Sequence, residues 1–182
     1  MTAQLRPPLL EAYLDSPPTS SVPATVALLD DAWTLFGYYK SDLDNRLAPV
    51  LAHAGSNHLM IALNSRRALA AMRYDLEAGR TFMRANNVVT IAFVYSETAQ
   101  LFHARNAFAS GGVYEDPATG AAAAALAGYL RDRDWPHRGK IEIIQGEHLG
   151  TRSRLRVQLT DVRGSSVRVF GTTRHLTEPQ PY

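Results

Sequence analysis

The stretch EDPATGAAAAALAGYL, Glu115–Leu130, opens with two acids, a proline and a glycine, then becomes almost pure alanine. Alanine is the strongest helix former, so Ala121–Ala125 predicts a helix. After the opening acids no charge occurs until Arg131. A helix with no polar face is enclosed by protein. One whose sides are mostly methyl groups is enclosed closely, because its neighbours can approach. Leu126, Tyr129 and Leu130 supply bulk only at the far end. The expectation is a central helix wrapped by a curved sheet.

The start of this helix has its own chemistry. The first backbone N–H groups of a helix lack partners, and the dipole places partial positive charge there. Gly120, Ala121 and Ala122 would present those amides with no bulky side chain in the way. Such an end suits a carboxylate or phosphate. Asp116 or Thr119 can serve as N-cap. The spacing allows either, and Asp-Pro before a helix is also ordinary capping chemistry. The Lys-Ser/Thr ending of a P-loop is absent.

The flanking segments read mostly as strands. APVLAHAG and NHLMIAL are two short strands around Gly55–Ser56, and VVTIAFVYS is a buried strand without charge. AQLFHARNAF follows a turn at Glu97–Thr98. After the alanine helix, GKIEIIQGE, RLRVQLTDV and SVRVFGTT read as three strands. In the last two, Leu155, Val157, Leu159, Val167 and Val169 alternate with arginines, so one side meets water. PATVALLDDAWTLFG has helical spacing at Val26, Leu29, Trp33 and Phe36, with Pro23 suited to a first turn. SRRALAAMRYDLEAGRTFMRANN predicts two short helices broken near Tyr74–Asp75 and capped by Ser65 and Asp75. SPPTSSVP (Ser16–Pro23) reads as a loop and the tail EPQPY as loose. The fold class is α+β, a mixed and largely antiparallel sheet curled round the alanine-rich helix, in a single domain over 1–182. The regular strand–helix alternation of a doubly wound parallel fold is absent.

Composition narrows the chemistry. Of the 182 residues, 46% are apolar and 20% charged, enough for a real core. The net charge of +2 is a mild arginine excess, and RDRDWPHRGK is broken by aspartates, so no nucleic-acid footprint is expected. There are no cysteines, which removes disulfides, thiol nucleophiles and cysteine-based zinc sites. The six histidines lack metal-binding spacing. No apolar stretch is long enough for a bilayer, and the N-terminus lacks a signal-peptide pattern. A cytoplasmic protein without metal or organic cofactor is expected.

GVYEDPATGAAAAALAGYL (Gly112–Leu130) resembles the signature of the PhzF-like family, written G-x-x-E-D-P-A-T-G-S-A before a small-residue helix. Glu115 to Gly120 match without a break. HAGSNHLMIAL resembles the family's Gly…His-Leu strand, QGEHLGTRSRLRV its Q-G…G-R-x-S-x-L segment, and SVRVFGTT its closing strand. The resemblance implies a diaminopimelate epimerase-like fold: two pseudo-symmetric lobes, each a sheet round a helix, with the active site between them. This chain matches the second half. The first-half glutamate and the G-H-A-T-like motif have no convincing counterpart; SETAQ, with Glu97, is only superficially similar. Ala121 replaces the family's serine. Arg105 and Phe108 are spaced by an extra residue, and Ser110 stands where proline is usual.

The implied chemistry is cofactor-independent isomerisation: a proton leaves a carbon beside a carboxylate and returns elsewhere. Asp116 would assist the transfer, Thr119, Gly120 and Ala121 would bind the substrate carboxylate, and Gly55, Ser56 and Asn57 would line the opposite wall. Turn and strand roles are the plainer readings of Asn57 and His58. A second copy, giving a homodimer, or a separately encoded first half would complete the cleft. The alternative is a degenerate, non-catalytic half-domain that binds a small anion or a partner chain.

Overall fold

The computed structural model of this chain describes residues 10–173. The tail Glu178–Tyr182 and the extreme N-terminus lie outside them. The strands are β1 (Leu10–Asp15), β2 (Ser20–Pro23), β3 (Val50–His53), β4 (Asn57–Leu63), β5 (Thr90–Ser96), β6 (Leu101–Ala107), β7 (Glu115–Asp116), β8 (Lys140–Gln145), β9 (Ser153–Gln158) and β10 (Arg168–Thr173). The helices are α1 (Val26–Phe36), α2 (Arg66–Ala70), α3 (Leu76–Ala85) and α4 (Gly120–Asp132). One sheet runs β1-β10-β9-β8-β6-β5-β4-β3-β2, with β7 paired on β6. The β4–β5 and β6–β8 pairs are parallel and the other pairs antiparallel. The expected fold class is the observed one.

β4 and β5 are buried on both faces. Leu59, Ile61, Leu63, Ile91 and Phe93 pack under α1, α2 and α3. The alternate residues Met60, Ala62, Ala92 and Val94 pack against α4. Residues 122–131 of α4 are all buried. The helix touches β2, β3 and β4 as well as β9 and β10, strands from both ends of the sheet. The chain itself imposes this curl. β1 and β2 are the opposite ends of the sheet, yet only Ser16–Thr19 joins them. The five Cα steps from Asp15 to Ser20 reach about 19 Å at most. Nine strands laid flat would put their edges about 38 Å apart.

Two local expectations are corrected. Ser20–Pro23, read as part of a loop, is an edge strand on β3. Edge strands tolerate proline, whose missing N–H would otherwise break the ladder. Pro23 therefore ends a strand; α1 is capped by Thr25, whose hydroxyl accepts from Leu28 N at 3.3 Å. Leu10–Asp15 is a strand that carries no isolated signal, because its partners are distant in sequence. Glu11 pairs with Arg156, and Asp15 with Arg168 at 2.7 Å. Ser65 and Asp75 cap α2 and α3 as expected.

Among the described residues, no helix is long and apolar enough to cross a membrane, and no cluster of three or more His, Asp or Glu could hold a metal.

Candidate functional site

β4 and β5 begin, and β6 and β8 end, at one edge of the sheet. The start of α4 lies at this edge, held by three side chains. Thr119 Oγ1 donates to Asp116 Oδ2 at 2.5 Å. Gln145, at the end of β8, donates to the Asp116 carbonyl at 2.6 Å and to Thr119 Oγ1 at 3.0 Å, and accepts from Thr119 N at 3.3 Å. Gly146 follows with φ 78°, and a Cβ there would lie 2.3 Å from Thr151 O and 2.9 Å from Pro117 O. Only glycine lets β8 end so tightly under the Asp116–Thr119 loop.

The two signature acids diverge because successive strand residues point to opposite faces. Glu115 is turned away from α4 and fully buried, 2.6 Å from Arg105. Arg105 also donates to the carbonyls of Ala70 and Met72, fastening β6 and β7 to the end of α2. Asp116 stays partly exposed at the helix start. Thr119 is the N-cap residue but its side chain does not cap the helix, being bonded to Asp116 and Gln145 instead. Among the described residues, the amides of Gly120, Ala121 and Ala122 have no acceptor. Gly120 and Ala121 are half-buried, at the rim of an otherwise enclosed helix. The far end is anchored: buried Arg131, in the last turn of α4 where a cation suits the dipole, donates to Thr19 Oγ1 at 2.6 Å.

Gly55 and Ser56, in the β3–β4 turn, and Asn57, the first residue of β4, lie at the same edge of the sheet. No hydrogen bond joins them to Asp116 among the described residues. Ser56 Oγ lies 2.9 Å from His58 Nε2, and His58 Nδ1 lies 2.8 Å from Thr90 Oγ1. His58 is 1% exposed, and burial, with a smaller push from His53, lowers its pKa to about 4. It is therefore a neutral ring between two hydroxyls. Asn57 falls on the other face of β4, bonded to His53 and to the Asn87 carbonyl.

The structure thus brings Asp116, Thr119, Gly120 and Ala121 together, and sets Gly55 and Ser56 across the same end. Sequence reasoning did not single out Gln145 as a site residue, although it opens the quoted QGEHLG segment. It also passed over Asn106, opposite Asp116 in the β6–β7 register. The signal for Asn106 was a polar residue breaking the apolar inward row Phe102, Ala104. Glu97 sits elsewhere, 2.6 Å from His103 on the outer face of β6.

The site is thus a carboxylate beside bare amides at the start of one buried small-residue helix, round which the sheet curls. The family model described as phenazine biosynthesis-like protein (PhzC-PhzF) matches residues 18–178, and the chain belongs to that family. It is 32% identical over 133 residues to the trans-2,3-dihydro-3-hydroxyanthranilate isomerase of Pseudomonas aeruginosa, covering 70% of this chain and 45% of that protein. An uncharacterized isomerase of Mesorhizobium japonicum is 43% identical over 74 residues, 38% of this chain and 24% of that one. A Bacillus anthracis phenazine biosynthesis protein of the PhzF family superposes with a TM-score of 0.75 at 16% identity, over 89% of this chain and 57% of that one. A predicted epimerase of Pseudomonas aeruginosa gives 0.71 at 25% identity, over 89% and 55%. The chain spans about half the length of these relatives, and less of the Mesorhizobium one.

Proposed function

We propose that this chain supplies one wall of an isomerase active site that moves a proton on a small carboxylate-bearing metabolite, without metal or organic cofactor. The observation that carries the reading is the uncapped start of α4 beside Asp116. The amides of Gly120 and Ala121, with Thr119, would hold the substrate carboxylate, since a helix N-terminus favours an anion. Asp116, hydrogen-bonded yet open to solvent, would take or return the proton at the neighbouring carbon. Gly55 and Ser56 would form the far rim, with the Ser56 side chain on the α4 side, and Asn57, on the other face of β4, would stand outside it. Isomerase names among the relatives support this class of reaction.

The other wall would come from a second lobe, and we propose a second copy of the chain. Val113, Tyr114 and Leu149 are 47%, 36% and 42% exposed beside the Asp116 and Gln145 loops. These side chains would be covered by the second copy. The decisive experiment is proton exchange in deuterated water, with trans-2,3-dihydro-3-hydroxyanthranilate as the first probe. Incorporation of deuterium that falls at least a hundredfold in Asp116→Asn supports the reading. Equal incorporation by both proteins removes Asp116 from the chemistry.

A second reading, a non-catalytic anion-binding domain, is favoured by one observation: Ala121 stands where the family writes serine. Carboxylate binding without exchange, alone or with a partner lobe, would select it.

A further inference from the structure

His103 lies on the outer face of β6, between the inward residues Phe102 and Ala104. Its ring is nearly buried, and both ring nitrogens face carboxylates. Nε2 is 2.6 Å from Glu97 Oε2, and Nδ1 is 3.2 Å from Glu147 Oε2. A neutral imidazole has one N–H and one lone pair, so it can donate to only one of two acceptors. Its other nitrogen would press a lone pair against a carboxylate oxygen. Two donations need the imidazolium, or a proton on one of the acids. An imidazole ordinarily binds a proton roughly a hundredfold more tightly than a carboxyl. The proton therefore belongs to the ring, a cation between two anions.

The other charges nearby do not cancel this arrangement. Arg66, at the start of α2, is 2.9 Å from Glu147 Oε2, and Arg152, in the loop before β9, is 3.4 Å from Oε1. Both are bonded to Glu147 rather than to the ring, and both are exposed. Exposed ion pairs contribute little. Arg105, next on the same face of β6, is neutralised by Glu115, and Glu142 of β8 by Arg154. The remaining titratable groups at the ring are Tyr95 of β5, its ring centroid 6.4 Å away, and His148, which follows Glu147. Of the three contacts that hold Glu147, the one to His103 is the most enclosed and so the least screened by water and salt.

Glu147 matters because of its place in the chain. It opens a short turn, Glu147–Leu149, flanked by Gly146 and Gly150, both at positive φ. Gln145, two residues earlier, is the side chain that ties Asp116 and Thr119 at the start of α4. We propose that His103 is a positioning residue of the α4 site. As an imidazolium it fixes the Glu147 turn from the outer face of the sheet, and through that turn Gln145 and the Asp116–Thr119 loop. When the ring loses its proton, one nitrogen turns a lone pair toward a carboxylate and the anchor is lost. Two adjacent carboxylates favour the charged ring, so the anchor is complete below the ordinary histidine value of about 6.5 and is lost as pH rises through a higher folded midpoint. The role rests on the site reading given above, but the anchor itself does not need a ligand.

The test is an NMR titration of the full chain, without ligand, between about pH 6 and 9. Near neutral pH both ring nitrogens of His103 should carry protons, and the ring should titrate at or above about pH 7.5. The Gln145 side-chain amide and the Thr119 backbone amide should shift with the same midpoint. His103→Gln should abolish that shared transition. His148→Gln should keep it, which separates His103 from the other histidine beside Glu147. Glu147→Gln should weaken proton binding by His103 about tenfold. An unchanged midpoint in that variant overturns the inference, even if His103→Gln fails to fold. A singly protonated ring near neutral pH overturns it too, as does a His103 titration that leaves the Gln145 and Thr119 signals still. No ligand is present, so proton exchange can fail while the anchor stands, and the anchor can fail while exchange stands.

Discussion

At the scale of single residues, the signature splits two adjacent carboxylates into two jobs. Glu115 holds the fold together through Arg105, in a pair with side-chain exposures of 0% and 9%. Removing one partner of a buried pair leaves the other charged and uncompensated. Glu115→Gln should therefore lower stability by about 3 kcal/mol in urea denaturation. Asp116→Asn should cost no more than about 1 kcal/mol, because the amide oxygen can still accept from Thr119. Equal losses for the two would contradict this division. His58 makes a pH prediction. Its pKa is lowered from 6.5 to about 4 by burial, so the unfolded chain binds the proton more readily. Stability should then fall as pH drops from 6.5 towards 4 and level off below, a total of roughly 3 kcal/mol. Thermal melts across that window should show a markedly shallower slope for His58→Gln than for wild type.

Helix α4 sets the limits at the scale of elements. Its small side chains let strands from both ends of the sheet approach, and one contact has no slack. A Cβ on Gly128 would lie 2.4 Å from Thr19 Oγ1 and 2.5 Å from Thr19 Cβ. Alanine would gain about 1 kcal/mol of helix propensity at this position. The crowding should outweigh it, because Thr19 is held by Arg131 and by the Ser165 carbonyl and cannot easily withdraw. Gly128→Ala should therefore destabilise by about 1–2 kcal/mol net, seen as a lower urea midpoint. An unchanged or higher midpoint would show that the β1–β2 connection is looser than its hydrogen bonds imply.

On the scale of the whole molecule, the proposed cleft has only one wall within this chain. Light scattering on the purified protein should give twice the chain mass if a second copy supplies the other. Substituting the rim with Val113→Glu and Leu149→Glu should then return the mass to that of one chain. The melting temperature of the lobe core should change little, since both side chains are more than a third exposed. A single-chain mass for the unmutated protein would move the search to a different partner chain.

Elements whose information is local can be read directly from the residues. Alanine propensity marked α4, period-two patterning marked β9 and β10, and Ser65 and Asp75 marked the starts of α2 and α3. The signature, from Glu115 to Gly120, is legible in the same way. What depends on residues far apart in the chain follows from contacts made only on folding. β1 is a strand because β10, from the far end of the chain, pairs along its whole length, with Asp15 opposite Arg168. Ser56 ends the β3–β4 turn and Asn57 begins β4, and their side chains go to different faces once β4 is registered between β3 and β5. Asn106 and Gln145 meet the start of α4 because the sheet curls, and it curls because four residues join its two edges. Propensity and alternation act over a few residues, whereas register and burial are properties of strands brought together from the whole chain.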